Sequence, residues 1–169
     1  MKRLFLIVSV LLAGSLAANA QKVGFINTDS ILLAIPEYQN ATKQLDAQAD
    51  SYKAQLDQEL QVINRLYTSY QSQKVYMSSS QRTSVENDII SKEQQLKSKQ
   101  EQYFGAEGVM AKQSEALLAP IRTRVSDAVA AYAKANGYSL VIDTAVTAGI
   151  VYKNDADEIT KQIINFFNK

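Results

Sequence analysis

The sequence predicts an α+β protein, in which a small body of short strands and helices carries one long antiparallel helical hairpin. No Gly or Pro occurs from Glu37 to Phe104, a span in which average composition would place several. The two prolines of the chain, Pro36 and Pro120, lie 42 residues on either side of Ser78. Because each half would extend about 60 Å as a helix, the hairpin is too long to form the interior of a small domain.

The first 20 residues are typical of a secretory signal peptide. A basic pair at positions 2 and 3 precedes an apolar run over 4–12, and small residues stand at positions 18 and 20. We therefore expect export and cleavage after Ala20. A retained membrane anchor is the alternative, although the apolar run is short for a bilayer span. The chain has no Cys, so it offers no thiol for a lipid anchor.

Composition excludes several classes of function. Removal of Lys2 and Arg3 leaves 16 basic residues against 17 acidic ones, which is a formal charge of −1. Such a chain has no strong field to attract nucleic acid, and we expect no nucleic-acid partner. Without Cys or His there is no disulfide, no thiol nucleophile and no imidazole base or metal ligand. Stability must then come from packing or from oligomerisation.

A heptad seam runs along both halves of the predicted hairpin. Reflection through Ser78 places Glu59 opposite Lys97 or Lys99 on the returning helix, in a pair that would fix the register. On the first half the seam positions are Leu45, Ala49, Tyr52, Leu56, Glu59, Ile63, Leu66 and Tyr70. On the second half, polar residues interrupt the seam three times along Val85, Ile89, Lys92, Leu96, Lys99, Tyr103, Ala106, Met110, Gln113 and Leu117.

Two further signals mark the tip and the base of the hairpin. Ser78, followed three residues later by Gln81, predicts a capping box at the start of the returning helix. Gly105 and Gly108 interrupt the helical pattern near its base. They predict either a weak point or bend in the arm, or a hinge that lets the arm open.

Short elements at the two ends of the chain predict the body. Residues 21–27 alternate as a strand, and Asp29 and Ser30 are predicted to cap a short helix through Leu33. After residue 120 the pattern predicts a helix that ends at Asn136-Gly137, followed by strands at 139–143 and 149–152. Asp155 and Glu158 would then cap a final helix. Three short strands are marginal for an independent core, and sharing strands between subunits would relieve this.

Enzymatic interpretations find little support in these residues. Asp155, Asp157 and Glu158 lack the glycine-containing loop of a calcium site, and helix capping explains their position better. Asp29 and Asp143 end strands and offer paired carboxylates, but nothing beside them supplies a nucleophile, an oxyanion site or a phosphate loop. We expect no catalytic residue, no cofactor and no metal.

These elements, in this order, resemble the Skp/OmpH family of periplasmic outer-membrane-protein chaperones. The resemblance is carried by VGFINTDS at 23–30, by AKANGYSLVID at 133–143, and by GIVY at 149–152 with the acidic turn and helix that follow. Together with the long arm, these stretches cover almost the whole chain after residue 20.

Membership would imply a homotrimer, whose small β-barrel body is shared by three subunits and whose helical arms enclose a cavity. Residues 1–20 would be the signal peptide, 21–36 with 120–169 the trimerisation body, and 37–119 the arm. The candidate trimer core is formed by Val23, Phe25, Leu140, Ile142, Ile150 and Tyr152. The implied function is an ATP-independent holdase for unfolded outer-membrane β-barrel proteins in the periplasm.

One departure from the family pattern concerns charge. Well-known members are strongly basic, whereas this chain is near neutral once the leader is removed, so contact with lipopolysaccharide or a membrane surface is not carried over to it. Apolar contacts would then matter more for holding a client. The candidates are Tyr67, Tyr76, Met77 and Ile90, with packing inside the hairpin as the alternative role of each. A structural spacer or adaptor of the cell envelope is the alternative function, since it would use the same long arms.

Overall fold

A computed structural model describes residues 21–167, so the predicted signal peptide and its cleavage after Ala20 lie outside the described residues. The chain forms two compact units, one from residues 21–31 with 126–167 and one from residues 32–125. The described strands and helices are β1 (Lys22–Ile26), α1 (Thr28–Leu33), α2 (Pro36–Gln73), α3 (Ser79–Phe104), α4 (Val109–Ala135), β2 (Tyr138–Asp143) and α5 (Thr160–Phe167). Two 3-10 turns, Lys74–Tyr76 and Asp155–Asp157, complete the order.

The first unit is built around one parallel pair of strands. β1 pairs with β2 in a register that sets Val23 opposite Leu140 and Ile26 opposite Asp143. On its other edge, β1 accepts a hydrogen bond at the Phe25 carbonyl from the N–H of Ile159, at 2.8 Å. The N-terminal strand is therefore held on both sides by parts of the chain that follow residue 137.

The predicted β-barrel is not formed by the single chain. The sheet of the described residues has two strands and is not closed. The strand predicted at 149–152 is not formed within residues 21–167, because this segment has no ladder partner there. Val151 and Tyr152 are 99 % and 82 % exposed, so no other described residue covers them.

The helix α1 begins at an asparagine. The side-chain Oδ1 of Asn27 accepts a hydrogen bond from the N–H of Ser30 at 2.8 Å, which is the contact of an N-cap. The prediction that Asp29 and Ser30 cap this helix is therefore wrong by two to three positions. Pro36 does open α2 as predicted, at its first turn, where the missing N–H is not needed.

The predicted long helical hairpin is confirmed. α2 has 38 residues, or about 57 Å at the usual rise, and it packs against α3. The seam positions of α2 are all buried or half-buried, whereas most of the positions between them are exposed. Towards the tip, the buried residues Ile63, Tyr70 and Ile89 form a cluster with Leu66, Met77, Val85 and Leu96.

The start of α3 has the predicted capping box. The Ser78 hydroxyl accepts from the N–H of Gln81 at 3.3 Å, and the side chain of Gln81 accepts from the N–H of Ser78 at 2.8 Å. Two of the otherwise unpaired donors at this helix end are thereby satisfied. The hairpin turn is thus specified by local chemistry.

At the base of α3, the helix ends at the predicted glycines. Gly105 closes α3 with a hydrogen bond from its N–H to the carbonyl of Glu101 at 2.8 Å, and α4 begins four residues later. A Cβ at Gly105 would lie 2.4 Å from that carbonyl oxygen, so a side chain does not fit there without movement. The predicted weak point is therefore a break between two helices.

Pro120 has a different place from the one expected. It lies inside α4, which begins at Val109, and therefore no helix starts at the proline. Because proline has no N–H, the carbonyl of Ala116 lacks its usual helical donor. The helix begins directly after Gly105 and Gly108. On its apolar side, Ile121 and Val125 are buried.

The polar pair in the seam is made by Lys99 and not by Lys97. The ammonium of Lys99 donates to the carboxylate of Glu59, and the two side chains are 44 % and 36 % exposed. This hydrogen bond raises the pKa of Lys99, although partial burial acts in the opposite direction. Solvent screens the pair at this exposure, so we assign it a role in the register of the hairpin more than in its stability.

We expect a double-mutant cycle to identify this pair. Glu59→Ala and Lys99→Ala should each lower the unfolding midpoint slightly, and their combined effect should be smaller than the sum of the two. Glu59→Ala with Lys97→Ala is the matched control, and its effects should add. Urea unfolding followed by circular dichroism at fixed protein concentration measures both cycles. Coupling to Lys97, or to neither lysine, would show that the register is incorrect.

Candidate functional site

The carboxylate of Asp143 joins the end of β2 to the start of α1. It accepts hydrogen bonds from the hydroxyl and the N–H of Thr28, the latter at 3.1 Å, and from the N–H of Ala145 at 3.0 Å. Partial burial would raise the pKa of Asp143, but these three hydrogen bonds outweigh it and lower the pKa. A carboxylate held in its ionised form by local donors has a structural role and is a poor proton donor or acceptor.

The acidic turn before α5 is also structural. Partial burial of Glu158 opposes its ionisation, yet hydrogen bonds from Lys153 and Thr160 lower its pKa. Glu158 also accepts from the N–H of Thr160 at 3.2 Å, so it caps α5. The predicted cap by Asp155 is wrong, because the 3-10 turn that contains Asp155 is capped by the side chain of Asn154.

The acidic side chains do not gather into a metal site. Within residues 21–167, no group of three or more His, Cys, Asp or Glu side chains is arranged to hold a metal ion. In the same part of the chain, no helix combines the length and the apolar character needed to cross a bilayer. The surface of the two units is therefore the place to look for a binding function.

The candidate trimer-core residues lie on the uncovered face of the first unit. Val23, Phe25, Ile142 and Ile150 are half-buried, whereas Leu140 is 52 % and Tyr152 is 82 % exposed. The face of β1 that the chain itself buries is the opposite one, with Gly24 and Ile26. The buried core of this unit comprises Ile26, Ile31, Ile159 and Ile163. None of these four isoleucines is among the candidate trimer-core residues.

The four client-binding candidates do not share one environment. Tyr67 and Ile90 lie beside the seam and are 52 % and 48 % exposed, and Tyr76 in the turn is 89 % exposed. Met77 is half-buried and packs against the buried cluster of the hairpin, which is the alternative role given to it above. Residues 60–85 contain Arg65, Lys74 and Arg82 and no acidic residue, so the tip is locally basic although the whole chain is near neutral.

Side-chain contacts between the two helices hold the hairpin closed, and sequence reasoning missed them. The Tyr70 hydroxyl donates to Glu86, and this hydrogen bond together with burial raises the pKa of Tyr70. Near the base, the rings of Tyr52 and Tyr103 stack with centroids 4.1 Å apart, and Phe104 meets Tyr52 edge-on at 6.4 Å. The aromatic residues at seam positions were a signal for these contacts, since large rings at facing positions pack against each other.

These features define the class: a protein with a long helical hairpin and a small two-stranded sheet, and without a metal-holding cluster of side chains in residues 21–167. Residues 22–167 match the family described as outer membrane protein (OmpH-like), and the chain belongs to this family. The predicted relationship to the Skp/OmpH family is thereby confirmed.

Curated relatives and a solved structure agree with this assignment. The chain is 27 % identical over 153 residues to the chaperone protein Skp of Yersinia enterocolitica, covering 90 % of each chain. It is 26 % identical over 167 residues to the chaperone protein Skp of Photorhabdus luminescens, covering 96 % of this chain and 99 % of the relative. A crystal structure of an OmpH-like protein from Caulobacter crescentus CB15 has the same fold, with a TM-score of 0.66 at 11 % identity over 88 % of this chain and 84 % of the other. The curated relatives are chaperones, and the family is not one of enzymes.

The lowered pKa of Asp143 predicts a dependence of stability on pH. Because the folded protein favours the ionised carboxylate, its contribution is present above the ordinary pKa of about 3.9 and is lost as the pH falls below it. Asp143→Asn should cost about 1 kcal/mol at pH 7 and little at pH 3. Urea unfolding at the two pH values checks this, with the exposed Asp29→Asn as control. An equal cost at both pH values would contradict the assignment.

Proposed function

We propose that this protein is an ATP-independent holdase, which binds unfolded outer-membrane β-barrel proteins in the periplasm and prevents their aggregation. Membership of the OmpH-like family and the relatives named chaperone protein Skp support a chaperone of outer-membrane proteins. The single observation that carries the proposal is the hairpin arm of about 57 Å, because it exposes several apolar side chains along its length.

The chemistry of the arm fits weak and reversible binding. Leu60, Tyr67 and Ile90 are between 44 % and 52 % exposed, and polar or charged residues separate them. Scattered apolar side chains give many small dispersion contacts without a single strong site. Such a surface holds a non-native chain and releases it without an energy source. The near-neutral charge of the chain is consistent with holding that depends on apolar contacts.

We further propose that the protein works as a homotrimer with a shared β-barrel body. The body would comprise residues 21–36 and 120–169, and the arm residues 37–119, after removal of the leader at Ala20. Val151 and Tyr152 are 99 % and 82 % exposed, and the outer edge of β2 has no partner strand among residues 21–167; both observations support strand pairing between subunits. The core shared by the subunits would then include Val23, Phe25, Leu140, Ile142, Ile150 and Tyr152.

The oligomeric state is directly testable. We expect multi-angle light scattering to give a trimer at micromolar concentration, because a two-stranded sheet and a small buried core are marginal for a single chain. Val151→Asp with Tyr152→Asp should shift the protein towards monomer, whereas Val146→Asp with Thr147→Asp in the preceding loop should not. A stable, folded monomer of the unmodified protein would contradict the proposal.

The holding function should depend on the arm. Replacement of residues 45–112 by a short helical turn removes every candidate client-binding side chain and no strand of the body. We expect the shortened protein to remain trimeric and to lose protection, while Tyr76→Ala alone should change protection little. Light scattering during dilution of a urea-unfolded β-barrel protein without ATP is the measurement. Equal protection by the shortened protein would mean that the body carries the binding surface.

A further inference from the structure

The exposed apolar side chains of the hairpin helices are distributed unevenly around the seam. Residues seven apart on these helices form a row along the seam. On α2, Leu60 and Tyr67 belong to the row that flanks one side of the seam. On α3, Ile90 and Phe104 occupy one row, fourteen residues apart, and are 48 % and 39 % exposed. The rows on the other side of the seam contain one exposed large apolar residue among residues 36–104, which is Val62. Their other members include Arg65, Ser69, Ser72, Asp88, Ser91, Gln95 and Ser98.

The contacts across the hairpin place these rows relative to one another. Val62 and Gln95 line one open depression with Glu59 and Lys99, so their two rows flank the same side of the seam. Leu60, Tyr67 and Ile90 belong to the rows on the other side. Between the Glu59–Lys99 and Tyr70–Glu86 contacts, Tyr67 is level with Ile90 to within about one residue. We name the side with Leu60, Tyr67, Ile90 and Phe104 the apolar face.

The extent of the apolar face decides what it can bind. The four side chains of this face are between 39 % and 52 % exposed and together offer on the order of 350 Å² of apolar surface. A folded partner in a stable interface buries about 800 Å² per side, so a second copy of this chain or another folded protein is a poor fit. Asn64, Glu86, Glu93 and Lys97 lie on the same side of the seam and interrupt the apolar surface. An unfolded segment in which apolar and polar residues alternate, as in transmembrane β-strands, matches such an interrupted surface.

We propose that the apolar face is the client-binding surface of the arm, and that the opposite face and the turn at the tip are not. This inference rests on the proposed holdase function and adds to it the side of the hairpin that holds the client. Leu60 joins Tyr67 and Ile90 as a binding residue, while Met77 is excluded because it packs inside the seam. The interspersed charges keep the face soluble when no client is present.

Two matched triple variants of the full-length protein test the proposal. Leu60→Gln, Tyr67→Gln and Ile90→Gln remove three exposed apolar side chains from the apolar face. Val62→Gln, Val75→Gln and Tyr76→Gln remove three from the opposite face and the tip, where they are 40 %, 68 % and 89 % exposed. The readout is the protein concentration that halves the aggregation of a urea-unfolded eight-stranded β-barrel protein. We expect an increase of about tenfold for the first variant and of less than about threefold for the second.

The outcomes separate this inference from the holdase function on which it rests. If the unmodified protein does not suppress aggregation, the proposed function fails. If it does, and the first variant protects equally well or the second loses as much, the apolar face is overturned and the holdase function stands. Circular dichroism melting of both variants establishes that each is folded before protection is compared.

A second measurement does not depend on removing any apolar side chain. The chain contains no Cys, so a single cysteine carries an environment-sensitive fluorophore without further changes. Asn64→Cys places the label on the apolar face, and Ser69→Cys places it on the opposite one, less than two helical turns away. Addition of the unfolded client should shift the emission of the label at residue 64 and leave the label at residue 69 nearly unchanged. Equal shifts, or a larger shift at residue 69, would overturn the proposal.

Discussion

The parallel pairing of β1 with β2 is the contact on which the first unit depends. It joins parts of the chain about 115 residues apart, and the Thr28–Asp143 contact closes the same connection at the end of the two strands. The other edge of β1 is held by the N–H of Ile159, and the N–H of Asn27 donates to the hydroxyl of Thr160 at 2.9 Å. Each of these bonds needs both ends of the chain, so the unit exists only when the segments before residue 32 and after residue 125 meet.

The hairpin depends on a different kind of constraint, which is local and repetitive. Along its seam, buried apolar residues alternate with polar pairs. Ile63 and Ile89 are buried, while the Glu59–Lys99 pair remains partly exposed to solvent. Because the register is fixed at that pair and again at Tyr70 and Glu86, residues that flank the seam have defined neighbours. A difference between two faces of the arm can persist only because the helices do not slip past one another.

The sequence was most informative where a structure depends on neighbouring residues. The hairpin, its capping box at Ser78 and the stop at Gly137, which has a φ of +70°, follow from local chemistry and were predictable. The structure of residues 149–152 was not predictable in this way. Alternating residues form a strand only where a partner edge is present, and no local pattern reveals that edge. The cap at Asn27 was missed since Asn27, Asp29 and Ser30 lie within four residues and have similar capping strength. Among the site residues, the exposure of Tyr67 and Ile90 followed from their place beside the seam, whereas the burial of Met77 depended on how the turn folds back.

The long sequence separation between β1 and β2 has a kinetic consequence. During synthesis at about 5–20 residues per second, roughly 6 to 23 s pass between the appearance of the first strand and that of its partner. The hairpin needs no such delay, because its contacts, such as Tyr70 with Glu86 only 16 residues on, can form within microseconds of their appearance. The nascent protein therefore has a finished arm while β1 is still an unpaired edge. Until β2 is made, β1 presents Val23, Phe25 and Ile26 on a strand whose edges have no partner.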